Sequence, residues 1–255
     1  MSVHEVAVTG FGTEAEAYER GRPSYPPDAV AWLADSLRIA PGRTVADVAA
    51  GTGKFTRLLA PYGADVVGVE PVDGMRAFLG ATAPGVRVVA GAAEALPFAD
   101  GSLDAITVAQ AFHWFDALAA LREFHRVLRP AGRVGLIWNA RNRSVPWVDA
   151  MWTIMDRVEK RAPWRNHDEW RESAFVDQPF FTPLTEAVFR HEQLLTHDEA
   201  IDRMRSVSHI AVLPPAEQEV VLEEVRAVLD RDPATAGQDV IALPYRVDTY
   251  WTVRR

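Results

Sequence analysis

"VADVAAGTGKFTRLLAPYGADVVGVE", residues 45–70, sets out an apolar run, two glycines, a helically spaced segment, a second apolar run and a carboxylate. An apolar strand over residues 44–48 must turn sharply into the next segment, and Gly51 and Gly53 leave the backbone of that turn bare to a ligand. Phe55, Leu58, Leu59 and Tyr62 then recur at helical spacing, so a helix N-terminus faces the same ligand. Glu70 stands at the end of the second strand, where its carboxylate can accept both hydroxyls of a ribose. The stretch predicts a nucleoside-binding crevice at the carboxyl ends of parallel strands.

Further apolar runs occur at residues 86–90, 103–109 and 133–138, rich in β-branched residues. They alternate with helical spacings such as Leu118, Leu121, Phe124, His125 and Leu128, closed by Pro130 and Gly132. Continuous apolar strands alternating with helices predict a parallel sheet covered on both faces. Before the first strand, residues 29–37 predict a lead-in helix capped by Asp28. After residue 140 the character changes. Trp147, Val148, Met151, Trp152, Ile154, Met155 and Val158 make one wide helical stripe, and Trp164 and Trp170 come soon after, predicting a helical insertion. Then come a long run at 184–195, helices at 197–205 and 217–229, and an alternating, half-buried, antiparallel strand at 240–253.

The whole chain narrows the functional classes. Its 255 residues, 48% of them hydrophobic and 24% charged, suffice for a full core with an insertion. No apolar run has the length of a membrane span, and the beginning "MSVHEVAVTGFGTEAEAYERG" lacks the pattern of a signal peptide, so a cytoplasmic protein without membrane contact is expected. The absence of cysteine removes disulfides, thiolate catalysis and Cys-ligated metals. A net charge of -8 with scattered Lys and Arg argues against a nucleic-acid partner. The seven histidines are dispersed, so no metal site is expected.

Three nucleotide readings compete for the glycine turn. A Walker loop requires Gly at Val48 and Ser or Thr after Lys54, where Phe55 stands. A dinucleotide loop would set its third glycine at Thr56. The third reading uses an acid within the first strand, Asp47, then Ala49, Gly51 and Gly53 in an A-x-G-x-G order, then Glu70. A ribose joined to a cationic amino-acid end suits those parts better than a diphosphate does.

"VADVAAGTGKFTRLL", "VVGVEPVDGM", "GAAEALPFADGSLDAITVAQAFHWFD" and "EFHRVLRPAGRVGLIWN" together resemble the class I S-adenosylmethionine-dependent methyltransferases. The likeness is to the small-molecule branch near trans-aconitate and ubiquinone-type methyltransferases; it covers about residues 14–140, with "ALPYRVDTYWTVRR" similar to that branch's last strand. The resemblance implies an α/β, Rossmann-like, doubly wound seven-stranded sheet with an antiparallel last strand, here with a helical insertion. The expected divisions are a lid and lead-in helix at 1–40, a cofactor-binding core at 41–140, a helical insertion on the acceptor side at 141–183, and completing strands and helices at 184–255. It implies S-adenosyl-L-methionine as cofactor, Gly51 and Gly53 beneath its methionine part with Asp47 and Ala49 shaping the loop, and Glu70 on the ribose. Pro71 and Val72 would flank the adenine. Where relatives carry an acid this chain has Ala92, which moves that contact to Ala93 and Glu94. Gln110 would lie beside the sulfonium, and "AYERGRPSYP" resembles a segment folded over the cofactor, nominating Tyr18 and Arg22, the latter for the methionine carboxylate.

Methyl transfer is a direct displacement that depends on alignment in a dry pocket, with a base needed only when the acceptor must lose a proton. His113 is the candidate base or positioning residue, and His209 is a weaker one on the acceptor side. Phe112, Trp114, Trp138 and Trp147 suggest a pocket for a small apolar or aromatic acceptor, while Arg141, Arg143 and Arg205 would admit a carboxylate. A monomer or homodimer is expected. Two other functions stay open on sequence alone: a protein that binds the cofactor without transferring methyl, and a nicotinamide oxidoreductase, for which no catalytic Tyr-Lys pair is evident.

Overall fold

The computed structural model describes residues 19, 21–159 and 174–255. Seven strands form one sheet in the order β3-β2-β1-β4-β5-β7-β6. Strands β1 (Thr44–Val48), β2 (Asp65–Val69), β3 (Arg87–Val89), β4 (Leu103–Ala109) and β5 (Leu128–Arg141) pair in parallel. Strand β7 (Ile241–Val253) enters antiparallel between β5 and β6 (Thr185–Leu195). The chain order reverses between β1 and β4, which makes the gap at their carboxyl ends the topological switch point of the sheet.

Apolar side chains on both faces account for the continuous runs. Along β4, Ala105 packs with Leu33, Leu37 and Ile137 on one face. Its neighbours Ile106 and Val108 pack with Leu121, Phe124 and Leu136 on the other. Helices α1 (Pro27–Leu37) and α2 (Lys54–Leu59) contribute to the first layer and α4 (Ala117–Val127) to the second. Helix α3 (Asp73–Thr82) comes after β2. A third core joins Trp147, Met151 and Trp152 of α5 (Pro146–Glu159) to Leu222 and Val225 of α8 (Pro215–Arg231) and to Leu243 and Tyr245 of β7. Helices α6 (His197–Arg205) and α7 (Ser208–Ala211) pack there too, α6 opening with a reciprocal capping box between Thr196 and Glu199. The tryptophan stripe is thus core shared with the C-terminal elements. Trp164 and Trp170 lie outside the described residues.

Local expectations needed four corrections. Asp28 does not hold the N-cap position of helix α1, which falls to Pro26, with Pro27 beginning the helix because a ring-fixed φ and a missing N–H cost nothing in the first turn; the Asp28 carboxylate instead accepts from Ala29 N at 2.9 Å within that turn. Strand β5 starts at Leu128, which pairs with Leu103 before a register shift, and regular pairing resumes at Arg133. Ala131, at φ 60°, carries the irregularity. Strand β3 is shorter than the apolar run that predicts it, Arg87–Val89. Strand β7 alternates at its two ends but not in its middle, since Val247–Tyr250 are buried on both sides.

Candidate cofactor crevice

Strain marks the switch point. Ala49 directly succeeds β1 with φ 55°, and Gln110 directly succeeds β4 with φ 60°. Both are left-handed conformations that side chains rarely adopt and that concentrate where the surrounding structure enforces them for function. Backbone bonds hold them there: the next residue, Ala50, donates to the Val69 carbonyl at 3.0 Å, and Gln110 donates to that of Ile137 at 3.0 Å. Gly51 and Gly53 continue the turn with φ 58° and 83°.

Two carboxylates brace this turn. Asp47, 1% exposed, accepts from Thr56 Oγ1 at 2.6 Å and Thr107 Oγ1 at 2.8 Å, linking β1 to α2 and β4. Burial raises its pKa to about 6 against the opposing pull of those two hydroxyls. Glu70, 4% exposed, accepts from Gly51 N at 2.8 Å and Val72 N at 2.9 Å. Burial raises its pKa as well, opposed by the two N–H groups and by Arg76. Each Glu70 oxygen has used one lone pair and keeps a second, so a diol can donate to both. Arg76 Nη1 pins the flanking carbonyls of Glu70 at 2.9 Å and Pro71 at 3.1 Å. Among the described residues, a side chain's first carbon at Gly51 would meet only Met75 Sδ, at 3.7 Å, which leaves that backbone approachable.

The N-terminal segment is tied across the helix that leaves this turn. Lys54 Nζ donates to the carbonyls of Glu19 at 2.7 Å and Arg22 at 2.8 Å. The Glu19 carboxylate accepts from Thr52 Oγ1 at 2.5 Å and from Arg57. Burial lowers the Lys54 pKa, partly offset by Glu19. Arg22 Nη2 reaches the Ser206 carbonyl at 3.1 Å, so the segment bridges α2 and the end of α6. Sequence reasoning nominated Arg22 but missed Glu19 and set Lys54 aside with the Walker reading; nothing in the spacing betrays their pairing. Tyr18 lies outside the described residues.

On the other flank, Ala92 bridges to Ala95, Ala93 is buried, and Glu94 accepts from Asp116 N at 2.9 Å at the start of α4. His113 and Trp114 occupy a 3-10 turn (Phe112–Trp114) beyond β4, half-buried, with ring centroids 4.9 Å apart. Phe112 packs against Phe115 and Phe175, Trp138 against Tyr250, and Trp147 within the third core. Those three aromatics are core side chains rather than an open wall, because strand and helix periodicity turns them inward; His209 is buried too. The three arginines expected to await a carboxylate are already engaged. Arg141 pairs with Asp156 at 3.0 Å and stacks on Trp152 at 3.7 Å. Arg143 pairs with Asp149 at 2.6 Å and Asp156 at 2.5 Å, and Arg205 donates to Gln218 at 2.9 Å.

Among the described residues no three His, Asp or Glu side chains cluster as metal ligands, and no helix is long and apolar enough to cross a membrane.

The family model described as a methyltransferase domain matches residues 46–136, the span from β1 through most of β5. The chain is 40% identical over 239 residues to an uncharacterized methyltransferase of Mycobacterium tuberculosis, covering 92% of this chain and 91% of the relative. It is 33% identical over 243 residues to an uncharacterized methyltransferase-like protein of Schizosaccharomyces pombe, covering 95% and 94%. Its fold is similar to that of a geranyl diphosphate methyltransferase solved in complex with S-adenosylmethionine, with a TM-score of 0.51 at 18% identity over 89% of this chain and 85% of that one. With the strained switch point and the buried strand-end carboxylate, these likenesses place the chain in the class I S-adenosylmethionine-dependent methyltransferases.

Proposed function

We propose that the chain methylates a small metabolite, within the branch near trans-aconitate and ubiquinone-type methyltransferases, and that Glu70 is the ribose anchor of its cofactor site. The observation that carries the anchor is the doubly held, buried carboxylate at the end of β2, with spare lone pairs on both oxygens. Gly51 and Gly53 give the close approach beneath the methionine part, shaped by Asp47 and Ala49. Pro71 and Val72 flank the adenine, with Ala92, Ala93 and Glu94 on its far side. Gln110 faces the methyl-bearing end, and Arg22, held in place through Lys54 and Ser206, serves the lid. When bound, the cofactor supplies an electrophilic methyl on a sulfonium; the chain's part is to exclude water and align the acceptor.

Glu70→Ala is expected to weaken S-adenosylhomocysteine binding by about 1 to 3 kcal/mol, the scale of hydrogen bonds to a charged group. Titration calorimetry measures it, and unchanged affinity would remove Glu70 from the site. The small-molecule assignment is tested by incubating a metabolite extract with deuterium-labelled cofactor. Label is expected in low-mass products; transfer confined to protein or nucleic acid would overturn it.

His113 is proposed as a positioning residue, since it packs at a tilt against Trp114 on a short turn just past Gln110. His113→Gln is then expected to slow turnover less than about tenfold and to leave cofactor affinity intact. A general base would be worth roughly 100- to 10,000-fold and would add a rate step near pH 6.5. A pH–rate profile of both proteins distinguishes the two.

A further inference from the structure

Arg203 is 5% exposed on the inward face of α6. Among the described residues its Nε and Nη1 are both buried without a hydrogen-bond partner, and no carboxylate lies within ion-pair distance. The guanidinium carbon sits 6.0 Å from the Trp152 ring centroid, on the same tryptophan that carries the neutralised Arg141. Its backbone lies against the lid, 3.6 Å from where a side chain's first carbon would stand on Gly21. Its charge also reaches Lys54, the first residue of α2 after the glycine turn. These neighbours locate a cation between the lid, the cofactor turn and the acceptor-side helix α5.

A buried cation without a partner is costly, and a bidentate carboxylate is the group that best fills the guanidinium fork. Lys54 already has Glu19. The nearby Arg57 shares that same carboxylate. Arg203 has no anion of its own among the described residues. Its α6 neighbours Ala200, Ile201 and Met204 belong to the core formed with β6 and β7, on the far side of the sheet's switch point from Glu70 and β2. We propose that Arg203 receives the carboxylate of the methyl acceptor, so that the substrates are small organic acids. This rests on the small-metabolite methyltransferase reading above. The other carboxylate available to the site is that of the cofactor's own methionine arm, and the experiment separates the two.

A metabolite extract is divided on an anion-exchange column, and each fraction is incubated with cofactor carrying a deuterated methyl group. Labelled products are expected from the retained, acidic fraction. R203M, which replaces a buried charge by an apolar side chain of similar length, should raise the apparent KM for that fraction roughly ten- to hundredfold, and R203K should recover part of the loss. By calorimetry, S-adenosylhomocysteine should bind wild type and R203M alike. Label arising only from the unretained fraction, or an R203M rate equal to wild type, would overturn the assignment. So would an R203M that loses affinity for S-adenosylhomocysteine but not for 5′-methylthioadenosine, which lacks the aminoacyl carboxylate. A wild type that binds no S-adenosylhomocysteine would instead strike the cofactor site itself.

Discussion

Gly53→Ala is expected to destabilise the protein by about 2 to 5 kcal/mol, combining a left-handed backbone with overpacking of a full core. Gly53 has φ 83°, and an added Cβ would stand 2.1 Å from Leu79 Cδ1. Leu79 has no room to withdraw. It is fully buried on α3, and its other methyl, Cδ2, lies 2.6 Å from where a Cβ would stand on Gly68 of β2. One leucine fills a hollow that two glycines leave open, and that packing docks α3 against the glycine turn. Gly85, at φ 89° with no described residue within 4 Å of an added Cβ, supplies the comparison, where the backbone penalty of about 1 to 2 kcal/mol applies. Urea unfolding measures both. A Gly53→Ala loss no greater than that of Gly85→Ala would mean that the core yields. Leu79→Ala should relieve much of the Gly53→Ala penalty, because the two positions share one contact.

The strand, glycine turn and strand-end carboxylate of residues 45–70 were legible in the sequence because their constraints are local. Residues 45–70 contain the strand, the turn, the helix and the carboxylate in order, and the structure sets Glu70 against Gly51 with no distant segment needed. The sheet was implied by the buried, continuous runs, and its antiparallel last strand by the likeness of the final residues. The arrangement beyond residue 140 depends on tertiary packing. Periodicity says that Trp138 and Trp147 each lie on one face, but a face turned to a core and a face turned to a cleft share the same spacing. Arg203 shows the converse. It stands three residues after buried Ala200 and one before buried Met204, on the apolar face of α6, whereas Arg205, which drew notice in the sequence, is turned outward to Gln218 and Glu219. A charge at an apolar position was the signal to be found. The Lys54–Glu19 tie had none, since it joins segments 35 residues apart through backbone carbonyls as well as side chains.

Asp47 should make stability fall as pH rises. Its pKa is about 6 in the folded protein against 3.8 for the ordinary carboxyl group, because burial disfavours the anion more than Thr56 and Thr107 favour it. A raised value means that the folded state holds this proton more tightly than the unfolded chain does. The stabilisation is therefore complete below pH 3.8 and is lost as pH rises through about 6, amounting to about 3 kcal/mol. An asparagine at this position has the same shape and does not titrate, so the difference in unfolding free energy between wild type and Asp47→Asn isolates this group from every other carboxylate. That difference should shift against the wild type by about 3 kcal/mol between pH 3.5 and 6.5, and be flat above. The ionised acid is retained at neutral pH despite that cost because it ties β1 to α2 and β4 directly beneath the turn. A negative charge there also favours a ligand with a cationic amino-acid end. Asp47→Asn should accordingly bind S-adenosylhomocysteine more weakly than wild type at pH 8, with the gap closing at pH 5 as wild-type Asp47 takes up its proton. A stability difference that is flat across pH 3.5–6.5 would show that Asp47 keeps an ordinary carboxylate pKa and that the two threonine hydroxyls fully compensate its burial.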